Sequence, residues 1–264
     1  MTEPPAEPPA LSGATASADA LAHRLARATG ELLMDLRRSG ALAGRALGEA
    51  GDEIANVFLE RSLAARRPGE AVLSEESPDD RSRLGRKAVW IVDPLDGTRE
   101  YREGRRDFAV HVALSVDGEA SAGAVALPAL GATYSTWQPP RSAPPLRGRR
   151  LIVVSRSRPP RFAHRLAELL GGELRAMGSM GAKAMAVVRG DAAAYVHTGG
   201  HHEWDAAAPA AVAGHFGLHV SHLDGTPLRF NRPDTVQRDL LVCRPELASE
   251  ILAALSKVAL LAPP

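Results

Sequence analysis

Asp93 and Asp96 stand three residues apart in VWIVDPLDGTREY (89–101), where a short apolar run meets Pro94 and Gly97. If the chain turns there, the two carboxylates and the Leu95 carbonyl between them can converge on one point. Hard oxygen ligands on a rigid turn suit Mg²⁺, which demands near-octahedral geometry and keeps several waters. Two uncompensated carboxylates held this close repel each other, and a divalent cation removes that cost. A surface turn rich in Asp and Gly has the same composition, so the other carboxylates matter. Glu75 and Glu76 end a short apolar stretch in LSEE, Asp52 follows Gly51, and Asp205 precedes an Ala-rich run in HHEWDAAAPAA. Taken singly, Asp52 reads as an acidic residue at a helix start and Asp205 as an N-cap.

Four arginines follow the aspartates in REYREGRRD: Arg99, Arg102, Arg105 and Arg106. They describe either a solvated basic loop or a counter-charge for a ligand with two anionic groups, since Arg pairs phosphate in bidentate fashion. Ser179 and Lys183, near a helix start in GSMGAK, are candidates for ligand contacts, as are His202 and Glu203 beside Asp205. His201-His202-Glu203 lacks the HxxxH or HExxH spacing of a zinc site. His111, His164, His215, His219 and His222 are scattered and read as structural. The single cysteine, Cys243 in DLLVCR, reads as a buried strand residue.

Several elements must position these groups. Residues 1–16 carry four prolines and little to bury, and are expected as a disordered tail. Leu21, Leu25, Leu32, Leu33 and Leu36 recur at helical spacing up to Gly40, and a second helix is expected over about 52–65. An apolar strand over 88–92 leads into the aspartates. DFAVHVALSV (107–116) alternates strictly, and Asp117-Gly118 turns it into 119–127 and 132–137. This part, 17–137, reads as an α+β lobe carrying the metal site. QPPRSAPPLRGR, over 138–149, reads as a linker. Beyond it, over 150–264, strands near 150–155, 173–177, 192–197, 217–223 and 239–243 alternate with helices near 160–170, in GSMGAKAMAVVRG (178–190), over 205–215 and from 245. That is an α/β lobe completing the site. The fold class expected is therefore mixed α/β.

In order, Asp52, Glu75-Glu76, DPLDGT after an apolar strand and EWDAAAP resemble the metal-dependent, lithium-sensitive inositol monophosphatase superfamily from about residue 20 onward. The resemblance implies a layered αβαβα sugar-phosphatase-like architecture. It also implies two or three Mg²⁺ per site. Glu75, Asp93 and the Leu95 carbonyl would hold the first, Asp93, Asp96 and Asp205 the second, and Glu75 with Asp52 a weaker third. Thr98, paired with Asp52, would orient the attacking water, so Asp52, Glu75 and Thr98 are the catalytic candidates. Backbone N–H groups of Gly97 and Thr98 would cradle phosphate if they open a helix. Where the inositol phosphatases usually carry Asn after DPLDGT, this chain has Arg99-Glu100-Tyr101. That triplet, DFAVHVAL, GSMGAKAMAVVRGDAAAYVH and DGTPLRFN look like the CysQ-type bisphosphate nucleotidase branch. Gly181-Ala182 departs from that branch's commoner Gly-Ser-Ser-Leu-Lys. Substrate contacts are expected at Asp96, Gly97, Thr98, Arg99, Ser179, Lys183, Glu203 and Asp205.

The implied reaction is hydrolysis of the 3′-phosphate of 3′-phosphoadenosine 5′-phosphate, and of its phosphosulfate relative, by metal-activated water. An inositol-1-phosphatase, a fructose-1,6-bisphosphatase and a non-catalytic metal and anion sensor are the alternatives. Lys+Arg 32 against Asp+Glu 31, with 4% aromatic residues, argue against a nucleic-acid polymer as partner. No apolar run approaches a membrane span, and the first residues do not resemble a targeting signal. A cytoplasmic address is the default expectation. A homodimer is compatible with the family.

Overall fold

The structure, a computed structural model, describes residues 17–139 and 142–259. The tail expected over 1–16 lies outside them, as do 140–141 of the expected linker and the last five residues. Helix α1 (Ala18–Ser39) starts at Ser17, whose Oγ accepts the Ala20 N–H at 3.3 Å, and stops at Gly40 in the left-handed region (φ 66°). Helix α2 (Gly44–Arg66) begins well before residue 52. Gly44, Gly48 and Gly51 dilute the helical signal there, and two of them are required by packing. A Cβ on Gly51 would stand 3.0 Å from Tyr101 Cε1 and 3.1 Å from Leu95 Cδ2, and one on Gly48 3.0 Å from Thr98 Cγ2. Asp52 therefore lies inside a helix, not at its start, next to the face that receives the DPLDGT segment.

Strands β1 (Ala71–Ser74), β2 (Ala88–Asp96), β3 (Ala109–Val116), β4 (Glu119–Leu127) and β5 (Ala132–Ser135) form one sheet in that spatial order. β1 is parallel to β2, and the remaining pairs are antiparallel. The five-residue helix α3 (Thr98–Arg102) follows β2 directly. The second sheet runs β7-β6-β8-β10-β9, from β6 (Leu151–Ser155), β7 (Glu173–Met177), β8 (Ala194–His202), β9 (His219–Ser221) and β10 (Val236–Cys243). Its first three spatial strands are parallel, the last two pairs antiparallel.

Helices α5 (Met180–Val188) and α6 (Glu203–His215) lie between the sheets. Their small side chains share one core with Ala109, Ala113 and Val125 of the first sheet and Val153, Leu240 and Val242 of the second. The approach is close: a Cβ on Gly123 of β4 would meet Ala211 Cβ of α6 at 2.8 Å. α1 and α2 cover the outer face of the first sheet through Leu21, Leu25, Leu59 and Leu63 against Trp90, Val110 and Val112. α4 (Ala163–Leu169) and α7 (Ala248–Ala259) cover the second through Leu166, Ile251 and Leu255 against Ile152, Val196 and Leu241. The result is the layered αβαβα arrangement. No described helix is long and apolar enough to cross a membrane.

Candidate active site

The opening motif is not a turn beyond a strand but a bulge within one. β2 pairs Asp93 with His111 and Asp96 with Ala109 of β3. Three steps on one strand oppose two on the other, so one residue is extra. Pro94, which has no N–H to give a ladder, falls in that irregular stretch, where a strand tolerates it. The bulge re-aims both carboxylates toward the gap between the sheets, and Leu95 N–H caps Asp93 Oδ1 at 3.1 Å. Gly97 (φ 92°) then reverses the chain into α3.

Asp96 is the best-supported anion of the group. Its Oδ2 accepts Ser179 Oγ–H at 2.6 Å and the Gly181 N–H at 2.8 Å, and His111 Nε2 lies 3.1 Å away. Burial alone would raise its pKa. His111, Lys183 and the Ser179 hydroxyl outweigh that and hold it down at about 2. Asp93 is buried without such help: its Oδ2 has no hydrogen-bond partner, and burial, then the charges of Glu75 and Asp96, push its pKa far up. Burial and Asp205 raise Glu75 to about 8; burial and Asp96 raise Asp205 to about 6. Glu75 is nevertheless exposed on one side. Burial, then Glu76, raise Asp52 to about 7.

Thr98 Oγ1 stands 3.1 Å from Asp52 Oδ1 and 3.2 Å from the Leu95 carbonyl oxygen. Asp205 caps α6: its Oδ2 accepts the His202 N–H at 2.6 Å, leaving its other oxygen for the cluster. Ligand atoms of Asp93, Asp96 and His111 lie within 4.8 Å of one another. An orphaned, buried carboxylate oxygen among raised carboxyls fits a divalent cation with hard oxygen ligands. Glu75, Asp93, Asp96 and Asp205 are the residues that could hold it.

Other expected contacts are placed elsewhere. Arg99 is exposed and pairs with Glu103 at 3.0 Å, Arg105 pairs with Asp107, and Arg106 reaches the Ala129 carbonyl. Lys183 is buried, its Nζ donating to the Gly178 and Ser179 carbonyls at 3.2 and 2.6 Å, and burial lowers it to about 8. Glu203 is fully buried and accepts the backbone N–H groups of Asn231 and Arg232 at 2.6 and 2.8 Å. Ser179, Lys183 and Glu203 thus shape the site from behind. Glu100 and Tyr101 anchor α3. Tyr101 OH donates to the Leu33 carbonyl at 2.7 Å, and Glu100 takes Arg156 Nη2 at 2.6 Å from beyond β6.

Sequence reasoning missed His111. Its Nδ1 lies 3.1 Å from the Trp204 carbonyl oxygen, tying β3 to α6 at the residue just ahead of Asp205. The alternation of 107–116 held the signal: His111 falls on the face opposite Phe108, Val110 and Val112, with Ala109 and Ala113.

A family model for the inositol monophosphatase family matches residues 15–260. The chain belongs to the inositol monophosphatase family. Within it, the chain is 48% identical over 251 residues to the 3′-phosphoadenosine 5′-phosphate phosphatase of Mycobacterium leprae, covering 89% of this chain and 92% of that one. Among solved structures of the fold, inositol monophosphatase II of Staphylococcus aureus superposes with a TM-score of 0.74 at 22% identity, covering 88% and 91% of the two chains. CysQ from Bacteroides thetaiotaomicron superposes at 0.72 and 24% identity, covering 85% and 96%.

Proposed function

We propose that the chain is a Mg²⁺-dependent phosphatase that removes the 3′-phosphate of 3′-phosphoadenosine 5′-phosphate, leaving AMP. The observation that carries this is the partnerless, buried Asp93 Oδ2 facing the carboxyls of Glu75, Asp96 and Asp205. The high identity to a phosphatase of that name over nearly the whole chain supports the substrate. Glu75, Asp93, the Leu95 carbonyl, Asp96 and Asp205 would hold two cations, with Asp52 and Glu75 beside a weaker third. Bound there, Mg²⁺ would neutralise phosphoryl charge and activate the attacking water.

The chain's own groups do the rest. Thr98 Oγ1, held by Asp52, orients the nucleophile by hydrogen bonding. Phosphoryl transfer needs in-line positioning and charge neutralisation more than covalent help, and the buried Asp93–Asp96 bulge supplies a rigid frame for both. Arg99 and Arg105 already have their charges met by Glu103 and Asp107, so counter-charge for the second phosphate falls to arginines without a carboxylate partner. Arg158 follows β6 at the carboxyl ends of the parallel strands. It is exposed and makes no side-chain hydrogen bond or ion pair among the described residues, and its Nη1 lies 3.2 Å from where a Cβ on Gly200 would stand. That edge is where open α/β sheets take their ligands.

The test is product identification. Incubation with 3′-phosphoadenosine 5′-phosphate and Mg²⁺ should yield 5′-AMP and one phosphate, and chelation or Asp96→Asn should abolish the release. Adenosine 3′-phosphate as product, or release that ignores chelation, would overturn the proposal.

A further inference from the structure

Glu75 is the carboxylate with the least secondary structure behind it. It follows the four-residue edge strand β1, and residues 75–87 form neither helix nor strand. Two ties hold this loop. Near Glu75, Ser74 Oγ donates to Asn56 Oδ1 at 2.7 Å and Asn56 Nδ2 donates to Ser77 Oγ at 3.0 Å, which clips the strand end to α2 beside Asp52.

The second tie crosses the molecule. Arg83, in the middle of the loop, is 1% exposed, although a buried guanidinium is costly unless its donors are met. Nε and Nη2 donate to Asp79 Oδ1 and Oδ2 at 3.1 and 2.8 Å. Nη1 donates to Asn231 Oδ1 at 2.8 Å and Nη2 to the Arg232 carbonyl at 3.0 Å. Asn231 Nδ2 returns bonds of 3.3 Å to the carbonyls of Arg83 and Arg86. The backbone N–H groups of the same two residues, Asn231 and Arg232, are those gripped by Glu203, the first residue of α6. Asp205 is two residues further on. One continuous chain of bonds therefore runs from the Glu75 loop through Arg83, Asn231 and Glu203 to the helix turn that carries Asp205.

We propose that Arg83 is a positioning residue that sets the separation of Glu75 and Asp205, and with it the affinity of the site for divalent cations. The inference rests on the metal reading above. A lysine keeps the charge but not the planar fork that meets Asp79, Asn231 and Arg232 together. Asn231→Gly removes the acceptor and both return donors, while glycine accepts the left-handed backbone found there (φ 56°) without strain.

The experiment is calorimetric Mn²⁺ binding to the full chain, with Mg²⁺ titration of phosphate release beside it, for wild type, Arg83→Lys and Asn231→Gly. Both variants should raise the Mn²⁺ Kd and the half-saturating Mg²⁺ about tenfold or more, as loss of groups supporting metal ligands does. The kcat at saturating Mg²⁺ should stay within about threefold of wild type, a split that general unfolding would not produce. Should Arg83→Lys fail to fold, Asn231→Gly decides alone. Unchanged Mn²⁺ affinity in a folded variant would overturn the role of Arg83 while leaving the metal reading standing. A wild type that binds no Mn²⁺ would remove both.

Discussion

At the residue scale, the site is a set of carboxylates whose environments differ sharply. Asp96 is stabilised as an anion by Ser179, Gly181 and His111, whereas Asp93 is left with a bare oxygen. Thr98 and Asp52 meet at 3.1 Å and should act as one unit. Thr98→Val and Asp52→Asn are each expected to lower kcat about 10²-fold or more, in the range of positioned proton-transfer groups. Because they share one interaction, the double variant should be far less impaired than the product of the two losses. Steady-state kinetics of the three variants at saturating Mg²⁺ checks this; multiplicative losses would separate the two roles. The carboxylates themselves were legible from residue type, spacing and order. The supporting cast was not. His111 sits eighteen residues from Asp93 along the chain and Arg83 lies in a loop without periodicity, so only the fold reveals what they touch.

At the element scale, the metal-site frame depends on how tightly β3, α5 and α6 approach. Gly181, the departure noted in GSMGAK, has a physical reason: a Cβ there would meet His111 Nε2 at 2.2 Å and Val125 Cγ1 at 2.9 Å. Gly181→Ala should displace the first turn of α5, withdraw the Gly181 N–H from Asp96, and cost about 1–3 kcal/mol by overpacking. Denaturant unfolding and activity should both register the change, with activity falling at least tenfold; a variant with wild-type stability and activity would contradict the packing. Strand alternation placed β3 and β4 well from sequence, because one face of each is uniformly apolar. The start of α2 was not placed, because Gly48 and Gly51 weaken the helical pattern to make room for Thr98, Tyr101 and Leu95. The bulge at Asp93–Asp96 was hidden for a similar reason. Pro and Gly announce a break in regular structure but not that the strand resumes its pairing across it.

At the scale of the whole molecule, the acidic cluster makes stability depend on pH and cation together. Asp52, Glu75 and Asp205 have carboxyl pKa values raised to about 7, 8 and 6, so the folded chain binds protons more tightly than the unfolded one. Their contribution is full below about pH 4, near the unfolded carboxyl values, and is lost as pH rises through the folded ones. The Tm of the chelated protein should therefore fall as pH rises from about 4 to about 8, by about 2–4 °C for each kcal/mol lost. Saturating Mg²⁺ should raise Tm most at the alkaline end, since binding to the folded state alone adds about 2.7 kcal/mol at one hundred times Kd. A flat profile unaffected by Mg²⁺ would contradict the cluster's role. The switch between alternating and helical patterns along the chain gave an α+β part followed by an α/β part, while the layered order of helices and sheets came from the family resemblance. The most direct measurement is kcat/KM with Mg²⁺ for 3′-phosphoadenosine 5′-phosphate, inositol 1-phosphate and fructose 1,6-bisphosphate side by side. The nucleotide should lead by about tenfold or more, equivalent to about 1.4 kcal/mol of transition-state discrimination. Sugar esters hydrolysed as fast or faster would contradict the nucleotidase reading.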